Sequence, residues 1–279
     1  MRDLDVIIPH LDRPSVAQTV ASVLEASPYV RTVIVCDGGS RAPGAVQALR
    51  DISRYENVEV RSAPHPRFNK PFLLNTAFRH TRSPHLLVSD ADILWSAGAI
   101  DALREAARGG SVCHVERVEE TVPESGAAAR PRYAAEVIPG EQGLPWRLRI
   151  GRDRVGGPSR PGYGLVAAPR AAWEALGGYN ETLNGWGWED VDFLVRARLL
   201  GFRVGSAAMA THVSHPNTAR GTREAESLVA SRNANIRKSC TAIASGVLTG
   251  SLVEPRVGGP TVVVETPQEL AWEAPGAER

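Results

Sequence analysis

The first third of the chain alternates short apolar runs with amphipathic stretches, a pattern that confines it to a sheet wound with helices. Leu4-Asp5-Val6-Ile7-Ile8 reads as a buried strand ending at Pro9. Behind it Val16, Val20, Val23 and Leu24 recur at helical spacing, which predicts a helix near residues 14–26 with one apolar face. Thr32-Val33-Ile34-Val35-Cys36 is the next strand, and Asp37-Gly38-Gly39-Ser40 is its exit loop. Such a βαβ unit closes right-handed with parallel strands. The alternation goes on through a helix around Val46, Leu49 and Ile52, a strand at Val58-Glu59-Val60 and a helix through Phe72, Leu73, Ala77 and Phe78. The strand His85-Leu86-Leu87-Val88 then delivers Ser89-Asp90-Ala91-Asp92 at its carboxyl end. The expected fold class is α/β, with a mostly parallel twisted central sheet and helices on both faces. In an open sheet of this kind the ligand crevice lies at the carboxyl ends of the strands. Asp12, Asp37, Asp90 and Asp92 all fall there.

From about 117 to 162 the sequence turns to Glu, Pro, Gly and Arg with little periodicity, as in PESGAAARPRY and GRDRVGGPSRPGYG. A stretch this long without clear elements reads as a lid or an acceptor loop. Regularity returns with the strand Leu165-Val166-Ala167-Ala168 and a short helix from Ala171 to Leu176, closed by Gly177-Gly178. Val191, Leu194, Val195 and Leu199 then keep helical spacing, and Phe202-Arg203-Val204 reads as a strand. The expected organisation is one domain over 1–250, in two halves, 1–116 and 117–250. The Pro-, Glu- and Gly-rich tail 251–279 is expected to be peripheral or disordered, apart from one strand at Thr261 to Val264.

Lys and Arg number 32 against 31 Asp and Glu, a net charge of +1, so the chain lacks the basic field that drives nucleic-acid binding. No apolar run approaches the roughly 20 residues that span a bilayer, and the start MRDLDVIIPH does not read as a secretion signal. Cys36, Cys113 and Cys240 are odd in number and far apart, which suits reduced thiols rather than a disulfide framework. The expectation is a cytoplasmic protein with no nucleic-acid partner.

Asp90-Ala91-Asp92 carries the sharpest chemistry. Two carboxylates one residue apart at a strand end can face one crevice, where a cation relieves their repulsion. A divalent ion held there can bridge the phosphates of a nucleotide-sugar and neutralise the leaving diphosphate. A D-x-D alone is also common among solvated loop acids, and its surroundings decide between the two readings. Gly185-Trp186-Gly187-Trp188 places two tryptophans in a glycine-rich loop, which suits stacking on sugar faces. Glu189, Asp190 and Asp192 follow at a helix start, where acids are also ordinary N-terminal residues.

The segment from Arg67-Phe68-Asn69-Lys70-Pro71-Phe72 to Phe78, followed by Ser89-Asp90-Ala91-Asp92-Ile93-Leu94, resembles the donor half of the β-1,4-galactosyltransferase family. Gly185-Trp186-Gly187-Trp188-Glu189-Asp190-Val191-Asp192 resembles that family's W-G-x-E-D motif. A related motif occurs in the galactosyltransferase-like part of polypeptide N-acetylgalactosaminyltransferases. The resemblance implies a GT-A, Rossmann-like glycosyltransferase fold that takes a hexose or N-acetylhexosamine from a UDP-sugar to a saccharide, natural-product, lipid or peptide hydroxyl. By that resemblance Pro9 and Arg13 hold the uracil and diphosphate, Phe68 packs on the base, Asp37 contacts uracil or ribose, and Asp90 contacts the ribose. Asp92 ligates Mn²⁺ or Mg²⁺ with His212 of Met209-Ala210-Thr211-His212. His215 competes for that place, and Met209 packs nearby. Asp190 is the general base of an inverting transfer, Glu189 binds acceptor hydroxyls, and Trp186 lies against donor and acceptor. Lys70 and the Arg-rich stretch 147–160 could meet phosphate or acceptor, with solvated basic side chains the commoner reading for each. Two alternatives are a sugar-phosphate nucleotidyltransferase, which lacks support because the loop after the first strand has no glycine, and a non-catalytic sugar-binding protein on the same fold.

Overall fold

The computed structural model describes residues 1–66, 68–122, 132–141, 144–153, 159–215, 228–256 and 258–270. The predicted alternation forms as β1 (Leu4–His10), α1 (Val16–Ala26), β2 (Val30–Asp37), α2 (Pro43–Ile52), β3 (Val58–Ser62), α3 (Lys70–Phe78) and β4 (His85–Val88). β5 (Ile93–Trp95), α4 (Ala99–Arg108), β6 (Val112–Glu120), β7 (Arg132–Ile138), β8 (Trp146–Asp153) and β9 (Ser159–Pro169) follow. The chain continues through α5 (Arg170–Leu176), α6 (Glu189–Leu199), β10 (Val204–His212), α7 (Leu228–Ala244), β11 (Val262–Glu265) and a 3-10 turn at Gln268–Leu270.

Eight strands make the central sheet in the order β3-β2-β1-β4-β9-β6-β10-β5. β9 runs antiparallel to β4 and β6, β5 runs antiparallel to β10, and the remaining neighbours are parallel. Every residue of β1 is buried, as a strand covered on both faces requires. Leu4, Val6 and Ile8 pack with apolar residues of α1, α2 and α4, while Ile7 packs on the other face with α3, α5 and α6. The buried Asp5 carboxylate ties the amino ends of the strands together. Its Oδ2 accepts from Arg31 Nη2 at 2.6 Å and from the amides of Arg82 and Ser83 at 2.7 and 2.8 Å.

A second sheet, β11-β8-β7, packs on α6 and α7 through Tyr133, Val137, Leu148, Ile150 and Val262, joined by Leu270 of the 3-10 turn. Much of the 117–162 stretch read as an irregular lid is therefore strand. The alternation was present in Arg147-Leu148-Arg149-Ile150, with the leucine and isoleucine buried and the arginines exposed, but Pro- and Gly-rich flanks obscured it. In the tail expected to be peripheral or disordered, the strand read at Thr261 to Val264 forms as β11 and pairs in parallel with β8, and Leu270 is fully buried. The strand expected at Phe202 instead begins at Val204 and runs to His212. α6 is buried almost all round, between the central sheet and the second one. Its polar residues must therefore find partners inside the protein. Asp192 and Arg196 form such a pair at 2.8 Å, with Ser239 Oγ donating to Asp192 and Arg196 donating to the carbonyls of Leu176 and Gly178.

Candidate functional site

β4 ends at Val88, and the chain turns through Ser89-Asp90-Ala91-Asp92 into β5. β10 sits between β5 and β6, pairing His212 with Ile93 on one side and with Glu120 on the other. This register brings residues far apart in sequence to one point. His215 Nε2 lies 3.1 Å and His212 Nε2 3.5 Å from Asp92 Oδ2. Ligand atoms of Asp92, His212 and His215 fall within 4.8 Å of one another. His212 Nδ1 lies 2.6 Å from Glu120 Oε2, so its outer nitrogen is used and Nε2 faces Asp92. Two imidazoles, one carboxylate and a carboxylate behind one imidazole are a donor set that fits a divalent cation. Burial alone would raise the Asp92 carboxyl, but hydrogen bonds from His212 and His215 outweigh it and hold the group far below its ordinary range.

The structure brings His212 and His215 to Asp92 together, rather than as competitors. Met209 does not join them. It lies half exposed on β10, its sulfur 2.7 Å from Arg117 Nη2. Asp90 parts from Asp92 and pairs with Lys70 Nζ at 2.7 Å. Lys70, expected as a solvated cation, is therefore an internal one, its side chain only 12% exposed and its Nζ also 3.5 Å from Glu189 Oε1. Burial disfavours its charge, yet Asp90, Glu189 and Asp190 outweigh that and raise its pKa above the ordinary lysine value.

The loop before α6 is held by α7, which the sequence reading did not foresee. Gly185 (φ +79°) and Gly187 (φ +90°) are left-handed, and a Cβ on them would meet Ser231 Oγ at 2.5 Å and Arg232 Cγ at 3.2 Å. Ser231 Oγ accepts from the Trp186 amide at 2.9 Å. Trp186 lies on the cleft wall. Trp188, expected to face sugar, is instead 5% exposed and packs in the core beneath the second sheet, with its own backbone at φ +80°. Glu189 is buried on the cleft wall, and burial pushes its carboxyl up to about 7 against the lowering pull of Lys70. Asp190 accepts from the following amide, Val191, at 2.8 Å through Oδ1. Its Oδ2 lies 3.3 Å from where a Cβ on Gly164 would stand, with Lys70 Nζ at 3.2 Å and Asp90 Oδ2 at 3.6 Å from the same point. Only glycine leaves that convergence open.

Pro9, Leu11, Arg13 and Phe68 also line this open cleft. Arg13 Nε lies 3.9 Å from Asp92 Oδ2. Asp37 stands back from this wall. Its carboxylate is taken by His10 Nδ1 at 3.0 Å and by the Ser40 amide at 3.0 Å, so it braces the loop instead of presenting a free acceptor. Asn69 and Asn75 are likewise internal. Asn69 caps α3 through the Phe72 amide, and Asn75 exchanges hydrogen bonds with the backbone of Tyr179. The reading from sequence missed Glu120, whereas Arg160, the last residue of the Arg-rich stretch 147–160, lies on the cleft wall at the start of β9.

This mostly parallel α/β sheet with helices on both faces is the GT-A fold. The sequence profile of glycosyl transferase family 2 matches residues 5–147, and that of the N-terminal domain of galactosyltransferase matches residues 154–219. The chain belongs to glycosyl transferase family 2. No curated protein matches its sequence significantly. Among solved structures it is similar to the mannosyltransferase PcManGT from Pyrobaculum calidifontis in complex with GDP-Man and Mn²⁺, at 20% identity and a TM-score of 0.50, over 78% of this chain and 58% of that one. It is similar to S. aureus TarS at 14% identity and TM-score 0.57, over 90% of this chain and 41% of that one. GalNAc-T7 with UDP, GalNAc and Mn²⁺ matches at 14% identity and TM-score 0.60, over 87% of this chain and 50% of that one. The chain thus spans about half the length of these structures, and the likeness carries the fold. Among the described residues no helix is long and apolar enough to cross a membrane.

Proposed function

We propose that this glycosyltransferase moves a hexose or N-acetylhexosamine from a UDP-sugar to an acceptor hydroxyl, with inversion and with Mn²⁺ or Mg²⁺ bound by Asp92, His212 and His215. The observation that carries the reading is the cluster of those three residues on the same cleft as Lys70, Glu189 and the Asp190 that neighbours them. A bound divalent cation supplies positive charge for the departing diphosphate. Pro9, Leu11 and Phe68 offer an apolar wall for the base, Arg13 a charge for the diphosphate, and Asp90 a ribose contact. Trp186 covers the sugar. As the acceptor oxygen bonds to the anomeric carbon and the bond from that carbon to the diphosphate breaks, Asp190 takes the acceptor's proton. Glu189 binds acceptor hydroxyls, and Lys70 balances the charge of the three surrounding carboxylates.

In this reading residues 1–116 hold the donor and 117–250 the acceptor, which is a saccharide, natural product, lipid or peptide. Three buried thiols, Cys36, Cys113 and Cys240, support a reducing, cytoplasmic setting. Incubation with UDP-galactose, UDP-N-acetylgalactosamine, UDP-glucose, UDP-N-acetylglucosamine and, for contrast, GDP-mannose, each with Mn²⁺ and with chelator, tests the reading. It expects UDP release from at least one of them that chelation abolishes. Turnover of GDP-mannose alone would move the donor to a guanine nucleotide, and release that chelation leaves untouched would remove the cation from the scheme.

A further inference from the structure

Glu120 stands at the end of β6, directly beside His212 in the parallel β6–β10 register. Three side chains meet its carboxylate. His212 Nδ1 approaches Oε2 at 2.6 Å, Ser214 Oγ donates to Oε2 at 3.0 Å, and Arg160 Nε lies 3.6 Å from Oε1. The first two contacts reach the histidine strand and the loop that carries His215. The third reaches a guanidinium on the wall of the cleft. Backbone bonds fix the same junction, since the Thr121 amide donates to the His212 carbonyl and the Val213 amide to the Asp92 carbonyl.

We propose that Glu120 is a positioning residue that serves two binding elements at once, aiming His212 Nε2 at the cation and holding Arg160 where it meets the donor's diphosphate. The inference rests on the cleft being a cation and nucleotide site. An imidazole can turn about its side-chain bonds and can carry its proton on either nitrogen. A carboxylate on Nδ1 fixes both the ring plane and the tautomer, leaving the Nε2 lone pair toward Asp92. Ser214 occupies the same carboxylate oxygen and keeps the acid from swinging away. The other oxygen faces Arg160, whose side chain is 29% exposed and so remains able to reach a ligand. Arg160 and Arg13 then approach the diphosphate from two different parts of the chain, the start of β9 and the exit of β1. Neither contact of Glu120 requires it to touch the donor.

The test measures Mn²⁺ alone by titration calorimetry and electron paramagnetic resonance, then UDP in the presence of saturating Mn²⁺, for the wild type, Glu120→Ala, Glu120→Gln and Arg160→Met. Glu120→Ala is expected to weaken Mn²⁺ by about ten- to hundredfold, the usual effect of losing such an outer acid. It is also expected to weaken UDP. Glu120→Gln keeps an oxygen beside Nδ1 without the charge and should fall between it and the wild type. Arg160→Met should leave Mn²⁺ affinity unchanged and lower UDP affinity by about tenfold, the size of one charge-assisted hydrogen bond. Mn²⁺ affinity within about twofold of wild type in Glu120→Ala overturns the proposal, and Glu120→Gln decides by the same criterion if the alanine variant does not fold. Unchanged UDP affinity in Arg160→Met overturns the second half. A wild type that binds no Mn²⁺ would bring down the cation reading itself, an outcome distinct from binding that ignores Glu120.

Discussion

Replacing Asp192 by alanine separates it from Glu189 and Asp190, the other acids of the Glu189-Asp190-Val191-Asp192 run, by what they do. Asp192 and its partner Arg196 have side chains 1% and 2% exposed, and their charges meet at 2.8 Å inside a helix covered on nearly every side. Breaking a buried pair strands the surviving charge and costs about 3–5 kcal/mol. Arg196 keeps two carbonyl acceptors, Leu176 at 2.9 Å and Gly178 at 3.0 Å, which places the loss at the lower end, about 3 kcal/mol. At roughly 2–4 °C per kcal/mol for a chain of this size, the melting temperature should drop by about 6–12 °C. Differential scanning calorimetry reads the drop, and donor turnover below the transition should persist. Arg196→Met combined with Asp192→Leu should restore much of the stability, because an apolar pair leaves no charge stranded. A variant Asp192→Ala that melts with the wild type yet fails to transfer would refute the structural assignment and place this acid in the chemistry.

Asp190→Asn should fold normally, bind UDP and Mn²⁺ near wild-type strength and lose about a hundredfold or more in transfer rate, the size of a general-base effect; near-normal transfer would move the base elsewhere. Asp92→Ala should abolish measurable Mn²⁺ binding by calorimetry, and retained binding would leave the two histidines as the site. Glu189 binds its proton more tightly folded than unfolded, its carboxyl raised by burial to about 7, so the native state holds the extra proton between the ordinary carboxylate range and neutrality. Stability should therefore fall as pH rises through that window, by up to about 1.4 kcal/mol per unit, and Glu189→Gln should flatten the slope in thermal melts. Gly164→Ala puts a methyl 3.2 Å from Lys70 Nζ and 3.3 Å from Asp190 Oδ2, and should lower the transfer rate with little change in melting temperature.

Local pattern alone determined the wound half of the fold and the acids at its strand ends. Leu4 to Ile8, Thr32 to Cys36 and His85 to Val88 are runs that suit a strand covered on both faces, and the first two helices between them, α1 and α2, each carry one apolar stripe. Asp90, Asp92, Glu189 and Asp190 could be singled out because a strand end and a helix start are visible in the residues beside them. The roles that depend on a partner distant in the chain were not visible. Whether Trp188 meets sugar or core was decided by α7 and the second sheet, and whether Lys70 is solvated was decided by Asp90 and Glu189 closing on it. Asp37 lost its free oxygens to His10 and Ser40, and Asp192 turned inward to Arg196. The histidine set exists only because β10 lies between β5 and β6 in a register that sets His212 beside Ile93 and Glu120. Sequence carries the period of each strand, but register is fixed by packing between strands, and a site assembled across three of them belongs to the tertiary structure.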